Sequence, residues 1–177
     1  MPTIMDPVTR PWLIAPLAAE HTRGLAECHI ECWREAYRGL VPDHILAAFD
    51  VDHRADQWER RRLRYPSATH LGLVDDKVIG FASAGPARDP DPATAVELHA
   101  IYVRTAWHGT GIADELIRTA IDPEIPCHLW VFEENPRAHA FYRRHGFVLD
   151  GARRIEAFAP ITEVRMVRGW DAQSNPR

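Results

Sequence analysis

The feature that most constrains this chain is a change of rhythm. VELHAIYV, Val96 to Val103, reads as a strand, and WHGTGIADELI, from Trp107 to Ile117, places two glycines just before an amphipathic helical pattern. Ile112, Leu116 and Ala120 fall on one face of that helix. A strand that feeds a glycine loop and then a helix offers backbone N–H groups with no internal partner, carrying partial positive charge. Such a loop can bring them close to an anion, commonly phosphate. A plain tight turn before a helix would use the same glycines, and a lone G-x-G does not choose between the two.

Two familiar phosphate loops are excluded. The third glycine of G-x-G-x-x-G would fall at Asp114, and an acid is a poor neighbour for pyrophosphate. No Gly-Lys-Ser/Thr follows, as a P-loop requires.

The rest of the chain supplies the elements around this loop. Trp12–Leu17 reads as a first strand and Glu20–Arg38 as a helix, ended by Gly39 and Pro42. Asp43–Phe49 reads as a second helix capped by Asp43, and Ala55–Arg64 as a third. HLGLVDDKVIGFASAGP is a hairpin signal around Asp75-Asp76-Lys77, followed by a loop rich in Pro and Asp from Gly85. After the glycine helix come a strand at His128–Glu134, a helix at Pro136–His145 stopped by Gly146, and two strands within Phe147–Arg168. Strand, glycine loop, helix, strand, helix, strand argues an α/β or α+β fold with a mixed sheet. With no repeat and no second core, residues 10–169 read as a single domain, with residues 1–9 and 170–177 as flexible tails.

Composition narrows the function. A formal net charge of -4 gives no reason to expect a nucleic-acid partner. No apolar run reaches the ~20 residues of a membrane span, and the N-terminus lacks the apolar core of a signal peptide. Three cysteines, Cys28, Cys32 and Cys127, make a poor disulfide framework and fit a reducing, cytoplasmic setting. The histidines form no H-x-x-x-H or H-E-x-x-H pair on a convincing helix, so no metal is expected.

The loop resembles the acetyl-CoA motif of the GNAT superfamily of N-acetyltransferases, Q/R-x-x-G-x-G/A, here His108-Gly109-Thr110-Gly111-Ile112-Ala113 with His in the Gln/Arg place. A second motif, N-x-x-A-x-x-F-Y-x-x-x-G-F, is met at Asn135, Ala138, Phe141, Tyr142, Gly146 and Phe147. The resemblance implies a mostly antiparallel central sheet flanked by helices, with a splayed pair of parallel strands at the cofactor site. It implies acetyl transfer from acetyl-CoA to a primary amine, by direct attack in a ternary complex. By the same resemblance, the amides of Gly109, Thr110, Gly111, Ile112 and Ala113 hold pyrophosphate, beside His108. The backbone of Ile101 and Val103 holds the pantetheine arm like an added strand, and Asn135 and Ala138 lie along that arm. Asn135 is equally a helix cap before Pro136.

Tyr142 matches the tyrosine that protonates the departing thiolate; a core aromatic is the plainer reading of the same position. Glu97 is the candidate base. Strand alternation would place Glu97, His99, Ile101 and Val103 on one face, with Glu97 about 13 Å from Ile101 and acting through water. His99 is the alternative base. Trp33 and Tyr37, one helical turn apart, would line the acceptor pocket or simply pack in the core. Segment Arg153–Pro160 is expected as a loop near the site. The acceptor would be a small-molecule amine or amino acid, or a peptide amine. By analogy the C-terminal strand Ile161–Val167 would pair two copies into a homodimer. A non-catalytic acyl-CoA binder on the same fold, and a nucleotide or phosphate binder using the loop alone, are the competing readings.

Overall fold

The computed structural model describes residues 10–156 and 160–169, so the expected tails lie outside the described residues. Among the described residues, seven strands form one sheet, β1 (Leu13–Pro16), β2 (Thr69–Val74), β3 (Lys77–Pro86), β4 (Val96–Val103), β5 (Cys127–Phe132), β6 (Val148–Ile155) and β7 (Thr162–Arg168), and five α-helices flank it, α1 (Thr22–Tyr37), α2 (Asp43–Ala47), α3 (Val51–Arg64), α4 (Ile112–Ala120) and α5 (Pro136–Arg144). The sheet order is β1-β2-β3-β4-β5-β7-β6, and only β4–β5 is parallel. This is the mixed α/β sheet expected from the order of elements, and it is mostly antiparallel with one parallel pair, as the resemblance implies.

Local chemistry sets most element ends. Asp75 and Asp76 both take positive φ, 47° and 63°, as a two-residue hairpin turn of the mirror type requires. Asp50 caps α3 by accepting from the His53 N–H at 2.7 Å. The helix therefore starts at Val51, four residues before the first apolar signal at Ala55. In α2 the expected cap, Asp43, is instead the first helical residue, after Pro42, and no side-chain cap bond forms. Pro42 supplies no side-chain oxygen, so Asp43 contributes only its charge to the first turn.

The parallel pair is short. Val96 pairs with Cys127 and Glu97 with His128, and then β4 and β5 diverge. From residue 98 on, the β5-side edge of β4 is not paired, and a cleft opens there. A bulge sits at the same place. Ser83 pairs with Ala100 and Ala84 with Leu98, leaving His99 as the extra residue.

That one residue overturns the expected alternation. A single insertion exchanges the two faces of everything beyond it. Glu97 and His99 stand together, 3.7 Å apart, and His99 meets Arg61 of α3. Ala100 and Tyr102 also pack on the α1/α3 side. Ile101 and Val103 pack on the opposite side against α4. Glu97, His99, Ile101 and Val103 do not share a face.

On that second side, Ile112, Leu116 and Ile117 are 0–1% exposed. Each such burial contributes about 1.5–3 kcal/mol, which fixes where α4 begins and hence where its loop amides lie. Gly72 on β2 makes room for this packing, since a Cβ there would meet Ile112 Cδ1 at 2.5 Å. β7, which holds the strand expected to pair two copies, lies between β5 and β6, so both of its edges are hydrogen-bonded and the free edge at this end of the sheet belongs to β6.

Candidate active site

The cleft between the splayed strands has a volume of about 1580 Å³. One wall is the glycine loop. Gly109 and Gly111 take φ of +76° and +96°, and a Cβ on either would meet nothing within 4 Å. The glycines are therefore needed for backbone conformation and leave the loop surface open. Among the described residues, no backbone acceptor engages the N–H groups of Gly109, Thr110, Gly111, Ile112 or Ala113. The loop is both a turn and a set of free donors.

Acids at this helix start would compete with an anion, but both are engaged. Asp114 accepts from His145 at 2.7 Å and Arg144 at 3.4 Å. Burial works to raise the Asp114 pKa, but these two bonds outweigh it and lower it. Glu115 accepts from Arg10 at 2.8 Å and Trp12 at 2.9 Å.

His108 does something the sequence did not suggest. Its Nε2–H donates to the Val103 carbonyl at 2.8 Å, fastening the loop to the end of β4. Glu35 of α1 clamps the other end of the loop, accepting from Arg104 at 2.9 Å, the Thr105 N–H at 2.9 Å and the Thr105 hydroxyl at 3.0 Å. Asn135 caps α5 by accepting from the Ala138 N–H at 3.2 Å, with Pro136 next, and both Asn135 and Ala138 also line the cleft. Ile112 keeps its side chain in the core at 0% exposure and offers only its backbone.

Tyr142 of α5 packs against Phe147 and the core around α4, and it also lines the cleft. Burial pushes its phenol pKa up, so it keeps its proton. Tyr37 and Tyr102 share a hydrogen bond at 2.8 Å across the same space. Burial raises Tyr37 to about 12 and Tyr102 well above its ordinary value. Trp33 stacks edge-on against Tyr37, with ring centroids 4.9 Å apart, so both residues serve core and cleft together.

The two candidate bases are heavily engaged. Glu97 is 1% exposed and accepts from Arg88 through the backbone N–H at 2.9 Å and Nη2 at 2.6 Å. Burial tends to raise its pKa, but Arg88 wins and lowers it. His99 donates from Nε2 to the Pro86 carbonyl at 2.9 Å and accepts at Nδ1 from Arg61. Burial, then the Arg88 and Arg61 charges, bring it down to about 4. Both ring nitrogens are thus occupied.

Comparison with known proteins now decides the family. The model of the acetyltransferase (GNAT) family matches residues 26–147, well over half of the chain. The chain belongs to the GNAT acetyltransferases. Among its relatives is the uncharacterized N-acetyltransferase YuaI of Bacillus subtilis, 27% identical over 124 residues, covering 66% of this chain and 69% of that protein. An uncharacterized N-acetyltransferase of Mycobacterium tuberculosis is 29% identical over 119 residues, covering 64% and 74%. The GNAT fold is also seen in the paiA N-acetyltransferase of Thermoplasma acidophilum, solved with coenzyme A. Its TM-score is 0.68 at 17% identity, over 90% of this chain and 99% of that one. The yncA protein of Salmonella typhimurium, solved with acetyl-CoA, gives 0.67 at 19%, over 95% and 99%.

This GNAT cleft contains residues that the sequence did not flag. Arg88 and Asp89 come from the loop after β3, which reads only as Pro- and Asp-rich spacer. Asp89 accepts from Trp130 at 2.8 Å and Arg154 at 3.1 Å, tying that loop across the root of the cleft. Glu163 on β7 lines the cleft and accepts from Arg154 at 2.6 Å, yet burial raises its pKa. Arg54, His29 and Trp58 line the far end. A charge in an amphipathic strand or helix carries no local mark of which way it faces the site. The expected loop at Arg153–Pro160 is in part strand: Arg153, Arg154 and Ile155 end β6, while residues 157–159 lie outside the described residues. No helix among the described residues is long and apolar enough to cross a membrane.

Proposed function

We propose that this GNAT chain is an N-acetyltransferase that moves the acetyl group of acetyl-CoA to a primary amine by direct attack in a ternary complex. The observation that carries the reading is the conjunction at one cleft of free loop amides, an unpaired β4 edge and a protonated Tyr142. These residues fit acetyl-CoA. The pyrophosphate would rest on the amides of Gly109 to Ala113, and the pantetheine arm along the Ile101 and Val103 backbone. Acetyl-CoA supplies an activated thioester carbonyl.

The chain's own residues would then do three things. The unpaired backbone at the bulge donates to carbonyl oxygen as charge develops there. Tyr142, kept protonated by burial, gives its proton to the departing sulfur and regains one from the attacking nitrogen, which sheds its second proton as the amide forms. A carboxylate takes the proton of the incoming ammonium. Glu97 is ionised but poorly basic beside Arg88, so we assign it to holding Arg88 and His99 at the root of the cleft. Glu163, with its raised pKa, is the better proton acceptor. Two variants separate these roles. Glu163→Gln should flatten the acid limb of the pH–rate profile, whereas Glu97→Gln should lower activity without moving that limb. The reverse result would return the base to Glu97.

Calorimetric titration with acetyl-CoA, followed by thiol release over a panel of amines, tests the reading. Saturable binding with thiol release on at least one amine supports it. Saturable binding with no release on any amine would favour an acyl-CoA binder, and nucleotide binding without CoA binding would favour a phosphate-binding protein.

A further inference from the structure

The far end of the cleft contains polar groups that have no hydrogen-bonding or ionic counterpart among the described residues. Arg54 is on α3, half-buried, with its guanidinium over the Phe49 ring at 5.5 Å. Among the described residues no carboxylate lies within ion-pair distance of it. Asp50, one turn earlier in the chain, is engaged as the cap of α3. Arg61, two turns further along α3, is satisfied by Ser83, the Ala84 carbonyl and His99. Two neighbours share the condition of Arg54. The Trp58 Nε1 and His29 Nδ1 atoms are buried with no hydrogen-bond partner among the described residues, in residues only 7% and 9% exposed. His29 and Trp58 rings are 5.5 Å apart, and the His29 ring lies 5.4 Å from that of Tyr102.

A buried donor or charge left unpaired is costly, and closing a substrate over it makes the cost larger. A neutral acceptor would seal Arg54 and the Trp58 N–H into the cleft unpaired. A carboxylate would satisfy both, since the guanidinium fork matches its two oxygens and the indole N–H adds a third donor. The β6/β7 side of this same end carries acids, Glu163 among them although paired with Arg154. Glu163 on β7 and Glu156 beyond β6 line the same cleft and act electrostatically on Tyr37. From this polarity we infer that the acceptor is a small free amino acid, its carboxylate on Arg54 and Trp58 and its amine toward the tyrosines and Glu163. The inference rests on the transferase reading for the direction in which the amine points. A peptide N-terminus fits less well, because its first residue has no free carboxylate to offer Arg54.

The test compares each standard amino acid with its primary amide and with the amine lacking the carboxylate. Two readouts are used on the full chain: the KM in thiol release, and calorimetric binding to the protein–CoA complex. The expected result is at least one amino acid with a KM about tenfold or more below that of its amide. Arg54→Met should raise the KM of the amino acid by a similar factor while leaving the KM values of the amide and of acetyl-CoA unchanged. Arg54→Lys, which keeps charge but not the fork, should fall between and guards against a folding defect. Equal KM values for acid and amide, or an Arg54→Met effect common to both, would overturn the inference and leave the transferase reading standing. If no amine releases thiol, calorimetry still decides. Arg54-dependent binding of an amino acid supports the anion site although the transferase reading has failed, and no preference over the amides removes the site.

Discussion

The two walls of the cleft are built from different materials. The loop wall is backbone: amides of residues 109–113, two glycines at positive φ, and acids at the helix start already paired with His145, Arg144, Arg10 and Trp12. The far wall is side chain: Arg54 and Trp58 from α3, His29 and Tyr37 from α1, Tyr102 from β4 and Glu163 from β7. A backbone wall is indifferent to most substitutions but intolerant of a change in φ. A side-chain wall is the reverse, and each residue on it can be exchanged without moving the chain. A constant ligand suits the first and a selected ligand the second.

The sharpest way to break this contrast is Tyr142→Phe, which removes one oxygen where the walls meet. Turnover should fall by about 10²–10⁴-fold, with acetyl-CoA affinity unchanged by calorimetry. Unaltered turnover would reduce Tyr142 to a packing residue. On the loop wall, Gly111→Val keeps open space but forces a β-branched residue to φ +96°. The strain, about 1–3 kcal/mol, should weaken acetyl-CoA binding by roughly tenfold or more. The acceptor KM should barely move; a parallel rise in it would mean that the walls are not independent.

The side-chain parts of the cleft, at the far wall and at the root, should also carry an acid sensitivity. His29 and His99 titrate in the folded protein at about 3 and about 4, below their ordinary 6.5, because burial disfavours the charged ring. Folding therefore favours their neutral forms. The stability this gives is complete above pH 6.5 and is lost as pH falls toward 4 and then 3. Each histidine contributes a slope of up to about 1.4 kcal/mol per pH unit. Urea unfolding between pH 7.5 and 4.5 should show the loss, and His29→Gln should make the curve shallower. The smallest effect is expected at His108. His108→Gln still supplies a donor for the Val103 carbonyl, whereas His108→Ala loses one hydrogen bond of about 0.5–1.5 kcal/mol. Acetyl-CoA binding in the two variants should differ by a few-fold.

The readability of each region followed its material. β4 spans Val96–Val103 as its apolar run indicates, and α4 and α5 begin where Gly111 and Asn135 place them. These signals lie within a few residues of what they specify. The start of α3 was harder to read, because Asp52, His53 and Arg54 show no apolar period and only the Asp50 cap marks the first turn. The alternation of β4 fails for a different reason. Nothing near His99 announces a bulge, since the extra residue is defined by the partner strand, where Ser83 and Ala84 face Ala100 and Leu98. Arg54, Trp58 and Glu163 carry no signal in the sequence because a residue on α3 and one on β7 become neighbours of a site only through the sheet order.

The sequence by itself determined the glycine loop, the helix that follows it and the second motif at Asn135–Phe147, because turn geometry, capping and periodicity are local properties. The tertiary structure alone decided that β4 and β5 part after Glu97 and His128, that Arg88 pairs with Glu97, and that Arg54 lines the cleft with no ion-pair partner among the described residues. Each of these depends on burial and charge contributed by segments far apart in the chain, and desolvation is felt only once those segments have packed.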